Sequence, residues 1–198
     1  MGVDEESEHE VVRRVDAAMA ASPRAEHLRP AERDRAGVDA PLAIGSGQTS
    51  SQPRTVRDML VLLDVRAGQH VLDVGAGSCW TTAILARLVG PGGRVLGVER
   101  LPEVLALGRA ALERADLPQA RVRLADPRHL GAPGDAPFDR VLVSAMAGRL
   151  PEELLAQLTP DGVMVVPVAG EMLRVQHRGE DDPLVTTHGR YRFVPLVT

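Results

Sequence analysis

Apolar positions at the start of the chain recur with helical spacing. In Glu5–Ala21, Val11, Val12, Val15 and Met19 join nearby alanines on one side and predict an amphipathic helix. The pattern then breaks. Pro23–Pro41 mixes Arg and Glu with few large apolar residues, which leaves a lid, an irregular crossing segment or a partly disordered one open. A short apolar run, Leu42–Ile44, leads into Gly45-Ser46-Gly47-Gln48-Thr49-Ser50-Ser51-Gln52-Pro53. Pro53 suits the first turn of a helix that places Val56, Met59, Leu60 and Leu63 on one face.

After Gly68 strand and helix patterns alternate. Strands are expected at His70–Val74, Arg94–Glu99, Val122–Ala125, Asp139–Ser144 and Val163–Val168. Helices are expected over Ser78–Leu88, Pro102–Ala115 and Pro151–Leu158, the last ending in the turn Thr159-Pro160-Asp161-Gly162. Met172–His177 and Leu184–Val197 read as an antiparallel pair about a turn at Gly179–Pro183. Near-continuous apolar strands between helices predict an open, mostly parallel α/β sheet covered on both faces, with an antiparallel C-terminal edge. No repeat and no Gly/Ser-rich or Pro-rich linker divides the chain, so a single domain is expected.

Composition narrows the function. Of 198 residues, 44% are hydrophobic and 25% charged, the balance of a globular domain. Aromatic residues make up 2%, so Val, Leu, Ala and Ile must form the core and few platforms exist for stacking bases. The net charge of -4 offers no basic field for a phosphate backbone, and nucleic acid is not expected as a partner. Cys79 is the one cysteine, which excludes an internal disulfide, and the six histidines show no ligand spacing, so no metal site is assigned. The acidic start lacks a signal-peptide core, and the longest apolar stretches, such as Met59–Leu63, are too short to span a bilayer. A cytoplasmic protein with no membrane partner is the expectation.

In an open α/β sheet, ligands collect beyond the carboxyl ends of the strands. Asp73-Val74-Gly75-Ala76-Gly77-Ser78-Cys79-Trp80 forms a glycine-rich turn there, between the first strand and its helix. Glu99 closes the next strand about 20 residues on, where a carboxylate accepts ribose hydroxyls. A dinucleotide fingerprint fails at Trp80, which stands where a third glycine is needed for close helix packing, and no Gly-Lys-Ser/Thr of a phosphate loop follows. Asp73 before the turn suits a cofactor with an ammonium or sulfonium group, which points to S-adenosylmethionine.

Five blocks then carry a family resemblance. Gly45–Pro53 (GSGQTSSQP), Val71–Ala83 (VLDVGAGSCWTTA), Ala136–Ser144 (APFDRVLVS), Pro151–Leu158 (PEELLAQL) and Arg192–Leu196 (RFVPL) resemble successive blocks of the protein-L-isoaspartate O-methyltransferase family, in the family's order. The G-Q-T-x-S-Q-P block is the most specific, because general methyltransferases lack it. The resemblance implies a Rossmann-like, doubly wound α/β fold. It also implies a single methyltransferase domain with a helical and substrate-loop region at 1–64 and a cofactor-binding core at 65–198. The implied activity is methyl transfer from S-adenosyl-L-methionine to the carboxylate of an L-isoaspartyl residue in a damaged protein or peptide, acting as a monomer. No general base is required, since the carboxylate is already ionised and the sulfonium methyl needs no activation.

Matched to the family's motifs, Ser51 is the active-site serine, and Gln48 and Thr49 share its substrate loop. Asp73, Gly75, Ala76, Gly77 and Ser78 form the cofactor turn, Glu99 holds the ribose and Asp126 accepts from the adenine amino group. Leu42–Gly45 and Arg192–Leu196 line the substrate groove. Departures stand beside these matches. Cys79 and Trp80 replace the usual glycine and tyrosine, placing a side chain near the cofactor's entrance and enlarging one wall, and Ala125 and Pro127 replace glycines around Asp126. They keep two other readings open: a peptide-aspartate methyltransferase dedicated to one biosynthetic substrate, and a non-catalytic cofactor-binding module. Taken without the family, Ser51 could equally cap the following helix, Asp73 could be a buried structural acid, and Asp126 could open an Asp-Pro turn.

Overall fold

The computed structural model describes residues 2–197, with side chains from Glu8 onward. Helix α1 (Gly2–Ala20) buries Val11, Val15 and Ala18 against α2 (Pro53–Leu63) and α3 (Trp80–Val89). Two further helices are α4 (Pro102–Ala115) and the short α5 (Glu152–Leu155). A two-stranded antiparallel hairpin, β1 (Leu42–Gly45) and β2 (Gln48–Ser50), stands apart from the main sheet. That sheet has seven strands, in the spatial order 120–124 (β5), 94–99 (β4), 70–74 (β3), 138–143 (β6), 158–168 (β7), 171–178 (β8) and 181–190 (β9). The strands β3 (His70–Val74), β4 (Arg94–Glu99), β5 (Ala120–Leu124), β6 (Phe138–Val143) and β7 (Leu158–Val168) pair in parallel. The strands β8 (Glu171–Arg178) and β9 (Asp181–Arg190) add an antiparallel edge.

Alternation along each strand divides the core. Val71, Val95, Leu142 and Val165 face the layer of α1, α2 and α3. Their neighbours Leu72, Val141, Val143, Met164 and Val166 face Leu130, Ala132, Phe138 and Leu154 on the other side. The architecture is a doubly wound α/β sheet with an antiparallel C-terminal edge. No helix among the described residues is long and apolar enough to cross a membrane.

Several segments depart from the sequence pattern. The helix expected over Pro151–Leu158 is one turn long, because buried Gln157 draws the chain inward. Its Nε2 donates to the carbonyls of Leu130 and Glu153, and its Oε1 accepts from Ala132 N. The expected turn at Thr159–Gly162 is instead an irregularity inside β7. Leu158 pairs with Phe138, Val163 pairs with Arg140, and Asp161 between them takes φ +68°. The final strand ends at Arg190 rather than at Val197. Tyr191–Val197 leaves the sheet and crosses the end of β6, held by Met146 N donating to Val194 O and Leu196 N donating to Met146 O, both at 2.7 Å.

The charged stretch Pro23–Pro41 is an irregular crossing segment with two 3-10 turns, Arg24–His27 and Pro30–Arg35. Arg24, only 5% exposed, fixes it. Its Nη1 donates to the carbonyls of Ala36 (3.3 Å) and Val38 (3.1 Å), and its Nη2 to those of Ala40 (2.9 Å) and Ser50 (3.0 Å). Its Nε donates to Ser50 Oγ at 3.3 Å, and its guanidinium lies 5.3 Å from the Trp80 ring centre. Charge carried outward in the sequence pattern is thus turned inward to satisfy a loop's carbonyls. Arg24→Ala leaves those carbonyls without donors and should lower stability by roughly 2–4 kcal/mol in urea denaturation. It should also open residues 23–41 to limited proteolysis, and a change below ~0.5 kcal/mol would contradict this account.

Candidate active site

The β3–α3 turn is built around two glycines, Gly75 at φ +75° and Gly77 at φ +56°. Gly75 N and Ala76 N both donate to Val98 O, at 2.9 and 3.1 Å. Glu99, 6% exposed at the end of β4, accepts from Gly77 N through Oε2 at 3.0 Å and from Leu101 N through Oε1 at 2.9 Å. One carboxylate therefore binds the turn to the neighbouring strand, while each of its oxygens keeps a lone pair. The turn also contacts the N-terminal segment. Buried His27 places Nδ1 3.0 Å from Ser78 O, and burial holds its pKa below the usual value, so the neutral ring donates to that carbonyl.

Cys79 does not project toward the cleft. It adopts φ +61° and is fully buried, and a Cβ on Gly108 of α4 would lie 2.4 Å from its Sγ. The thiol fills the gap between the turn and α4, and burial pushes its pKa up. Trp80 is 5% exposed, packs in the α1–α2–α3 layer and donates Nε1 to Ser22 O at 2.8 Å.

Asp73 is fully buried and lines no part of the cleft. Its Oδ2 accepts from the hydroxyls of Thr81 and Thr82, each at 2.7 Å, and its Oδ1 has no partner among the described residues. Desolvation raises its pKa to about 6, against the two hydroxyl bonds that lower it. Asp126 is different: half-exposed, it accepts from Arg128 N (3.0 Å), Nε (3.1 Å) and Nη2 (2.9 Å), which hold its carboxyl well below the usual range. The Asp-Pro turn and a cleft position occur together there.

Beyond the strand ends lies a cleft of about 540 Å³. Gln48, Thr49, Gly75, Gly77, Glu99 and Asp126 line it, as do Pro127, Leu101, Leu124 and Ala125. Val194–Val197 close one wall. Ser51 lines a smaller recess of about 40 Å³ instead, with Thr49, Ser78, Thr81 and Trp80. Cleft and recess share Ile44, Thr49, Gly75, Gly77 and Ser144. Ser51 does not cap α2, whose N-cap is Gln52 with no side-chain cap bond, and among the described residues its hydroxyl has no hydrogen-bond partner. Ser144, His129, Leu130 and Glu153 were not singled out from the sequence. Only Ser144 carried a signal, as the polar end of a strand next to the first one, at the switch point of the sheet.

The residues suit an adenosine-containing cofactor bearing a positive centre. The volume lies within the usual range for such sites, ~300–1,000 Å³. An acid ends β4, Leu101, Leu124 and Ala125 offer apolar walls, and the orphaned Asp73 Oδ1 leaves one buried negative oxygen uncompensated.

Fold and cleft together define a Rossmann-like α/β protein with a cofactor-sized site beyond the carboxyl ends of its parallel strands. Comparison with known proteins is consistent along the whole chain. The model of the family Protein-L-isoaspartate(D-aspartate) O-methyltransferase (PCMT) matches residues 3–198. A protein-L-isoaspartate O-methyltransferase of Methanopyrus kandleri is 44% identical over 188 residues, covering 93% of this chain and 83% of the relative. One from Anaeromyxobacter sp. is 45% identical over 185 residues, covering 90% and 85%. Among solved structures, a protein-L-isoaspartate O-methyltransferase superposes with a TM-score of 0.85 at 22% identity, over 97% of this chain and 63% of that one. A Plasmodium falciparum chain, described as a beta-aspartate methyltransferase in complex with S-adenosyl-L-homocysteine, gives 0.79 at 20% identity, over 93% and 90%. The chain belongs to the protein-L-isoaspartate O-methyltransferase family.

The raised Asp73 pKa has a sign that can be measured. The native state binds this proton more tightly than the unfolded chain, so stability contributed by Asp73 is lost as pH rises from the ordinary aspartate value of 3.8 to about 6. The full effect is about 3 kcal/mol. Asp73→Asn should flatten the profile of urea midpoint against pH between those values. Parallel profiles for the two proteins would contradict it.

Proposed function

We propose that this protein transfers the methyl of S-adenosyl-L-methionine to the free carboxylate of L-isoaspartyl residues in damaged proteins or peptides. The resulting ester loses methanol as the neighbouring backbone nitrogen closes a succinimide, which opens partly to normal aspartate. The observation that carries this reading is the unbonded Ser51 hydroxyl, in a recess sharing its wall with the cofactor cleft.

When bound, the cofactor supplies an electrophilic methyl on a positive sulfur. The remaining tasks fall to the chain. Glu99 keeps lone pairs for the ribose hydroxyls while it anchors Gly77 and Leu101. Gly75 and Gly77 let the backbone approach the ligand, and Ala76 and Ser78 complete the turn. Asp73 supplies buried negative charge beneath the turn. Asp126, which lines the cleft and pairs with Arg128, would accept from the amino group of the base. On the acceptor side Ser51 donates to the substrate carboxylate, and Gln48 and Thr49 shape the wall. Catalysis then rests on alignment and on replacing the carboxylate's water by fixed hydroxyl dipoles.

The remaining parts of the reading have their own supports. Residues 1–64 and 65–198 act as one domain, because the cleft takes lining from both parts. The net charge of -4 argues against nucleic acid. A cytoplasmic location agrees with a single free cysteine. Neither alternative gains an observation: the Cys79 side chain, a main support for a silent module, is turned away from the cleft.

The test is methyl transfer from labelled S-adenosylmethionine to matched isoaspartyl and aspartyl peptides. Base-labile label should appear on the isoaspartyl peptide alone. Ser51→Ala should lower kcat/KM by about 10- to 100-fold, as loss of a hydrogen bond to a charged group does, with S-adenosylhomocysteine affinity held within ~3-fold. Label on the aspartyl peptide would move the assignment to a dedicated peptide methyltransferase. Cofactor binding with no label on either would leave a silent module.

A further inference from the structure

Ser51 stands apart from the main cleft, and that separation shows where the acceptor group sits. The recess of about 40 Å³ is far smaller than the cleft and is on the scale of a small group such as a carboxylate. No charged side chain lines it. Its polar lining is hydroxyl: Thr49, Ser50, Ser51, Ser78, Thr81 and Ser144. Two of these are engaged, Thr81 by Asp73 and Ser50 by Arg24. The side chains of Thr49, Ser51, Ser78 and Ser144 have no hydrogen-bond partner among the described residues.

Ser144 differs from the others in its mounting. It follows the last residue of β6, and its N–H donates to Val74 O at 2.9 Å, beside the glycine turn. Gly75 lies beside it, and a Cβ there would make ordinary contact with the Ser144 carbonyl carbon at 3.8 Å. Among the serines it alone borders both cleft and recess. A hydroxyl fixed on a central strand end holds its position better than one on a surface loop.

We infer that Ser144 is a second donor to the acceptor carboxylate, facing Ser51 across the recess, so that the carboxylate is seated by two hydroxyls and presents an oxygen through the shared wall to the cleft. This rests on the isoaspartyl reading above. Hydroxyl donors orient the oxygens without the strong pairing a cation would impose, which leaves the carboxylate a competent nucleophile. The buried cation Arg24 does not line the recess and meets it through Ser50 and the Trp80 ring.

The experiment compares wild type, Ser144→Ala and Ser144→Thr by kcat and KM on an isoaspartyl peptide. It adds calorimetric affinity for S-adenosylhomocysteine, and for the same peptide in the presence of S-adenosylhomocysteine. Ser144→Ala should weaken peptide affinity and lower kcat/KM by about 10-fold or more, and Ser144→Thr should stay within ~3-fold of wild type. S-adenosylhomocysteine affinity should hold within ~2-fold in both, which also reports an intact fold. Unchanged peptide affinity in Ser144→Ala would overturn the inference, as would an equal loss of S-adenosylhomocysteine affinity, which would place Ser144 on the cofactor. A wild-type protein that leaves the isoaspartyl peptide unmethylated would instead overturn the reading beneath it.

Discussion

The acceptor side of this molecule hangs on one buried cation. The β1–β2 hairpin has strands of four and three residues and belongs to no larger sheet. A ribbon of that size is not stable alone in water. Arg24 supplies what it lacks, bonding Ser50 through both hydroxyl and carbonyl, tying in Ala36, Val38 and Ala40, and stacking near Trp80. Burying a guanidinium is costly, and the cost is tolerable only when nearly every donor finds an acceptor. Here the acceptors are loop carbonyls that would themselves be unsatisfied. Cation and loop solve each other's problem, and Thr49 and Ser51 are held in place as a result.

The cofactor side is organised by carboxylates in unlike environments. Glu99 is hydrogen-bonded through both oxygens at the cleft wall, Asp126 is half-exposed beside Arg128, and Asp73 is sealed beneath the turn with one oxygen orphaned. Solvent and Arg128 make the Asp126 charge cheap, whereas burial makes the Asp73 charge expensive. A buried acid that weakens the free protein is a local violation of the rules that otherwise hold the fold, and such violations concentrate where ligands act. A positive ligand centre near the turn would relieve it.

Much of this was legible in the sequence where local and long-range preferences agree. His70–Val74 and Arg94–Glu99 have the strand ends their apolar runs indicate, because buried parallel strands are continuous in pattern. Reading failed where tertiary contacts decide. Nothing local says that Arg24 turns inward, since an arginine between Pro23 and Ala25-Glu26 reads as solvated. Gln157 likewise ends α5 early by bonding to Leu130 and Ala132, more than twenty residues earlier in the chain. The site divided the same way. The glycine turn and Glu99 follow from a strand–turn–helix pattern, but the separation of Ser51 from the cleft, and the place of Ser144 between the two, depend on how the hairpin packs on the turn. Ile44 sets that packing: its Cδ1 would lie 3.2 Å from a Cβ on Gly77.

The residue pair Cys79 and Gly108 shows how a departure from a family pattern can be absorbed. A glycine at position 79 would take φ +61° without strain, whereas cysteine there sits in a region costing of order 1 kcal/mol or more. The side chain recovers part of this by burying its sulfur where Gly108 leaves room, and any larger residue at 108 would collide with it at 2.4 Å. The two positions are therefore coupled: a small residue on α4 permits the cysteine, and the cysteine fills the space the small residue leaves. Because the exchange takes place behind the turn, the cleft-facing backbone of Gly75 and Gly77 is untouched, and the binding surface keeps its form while its support changes.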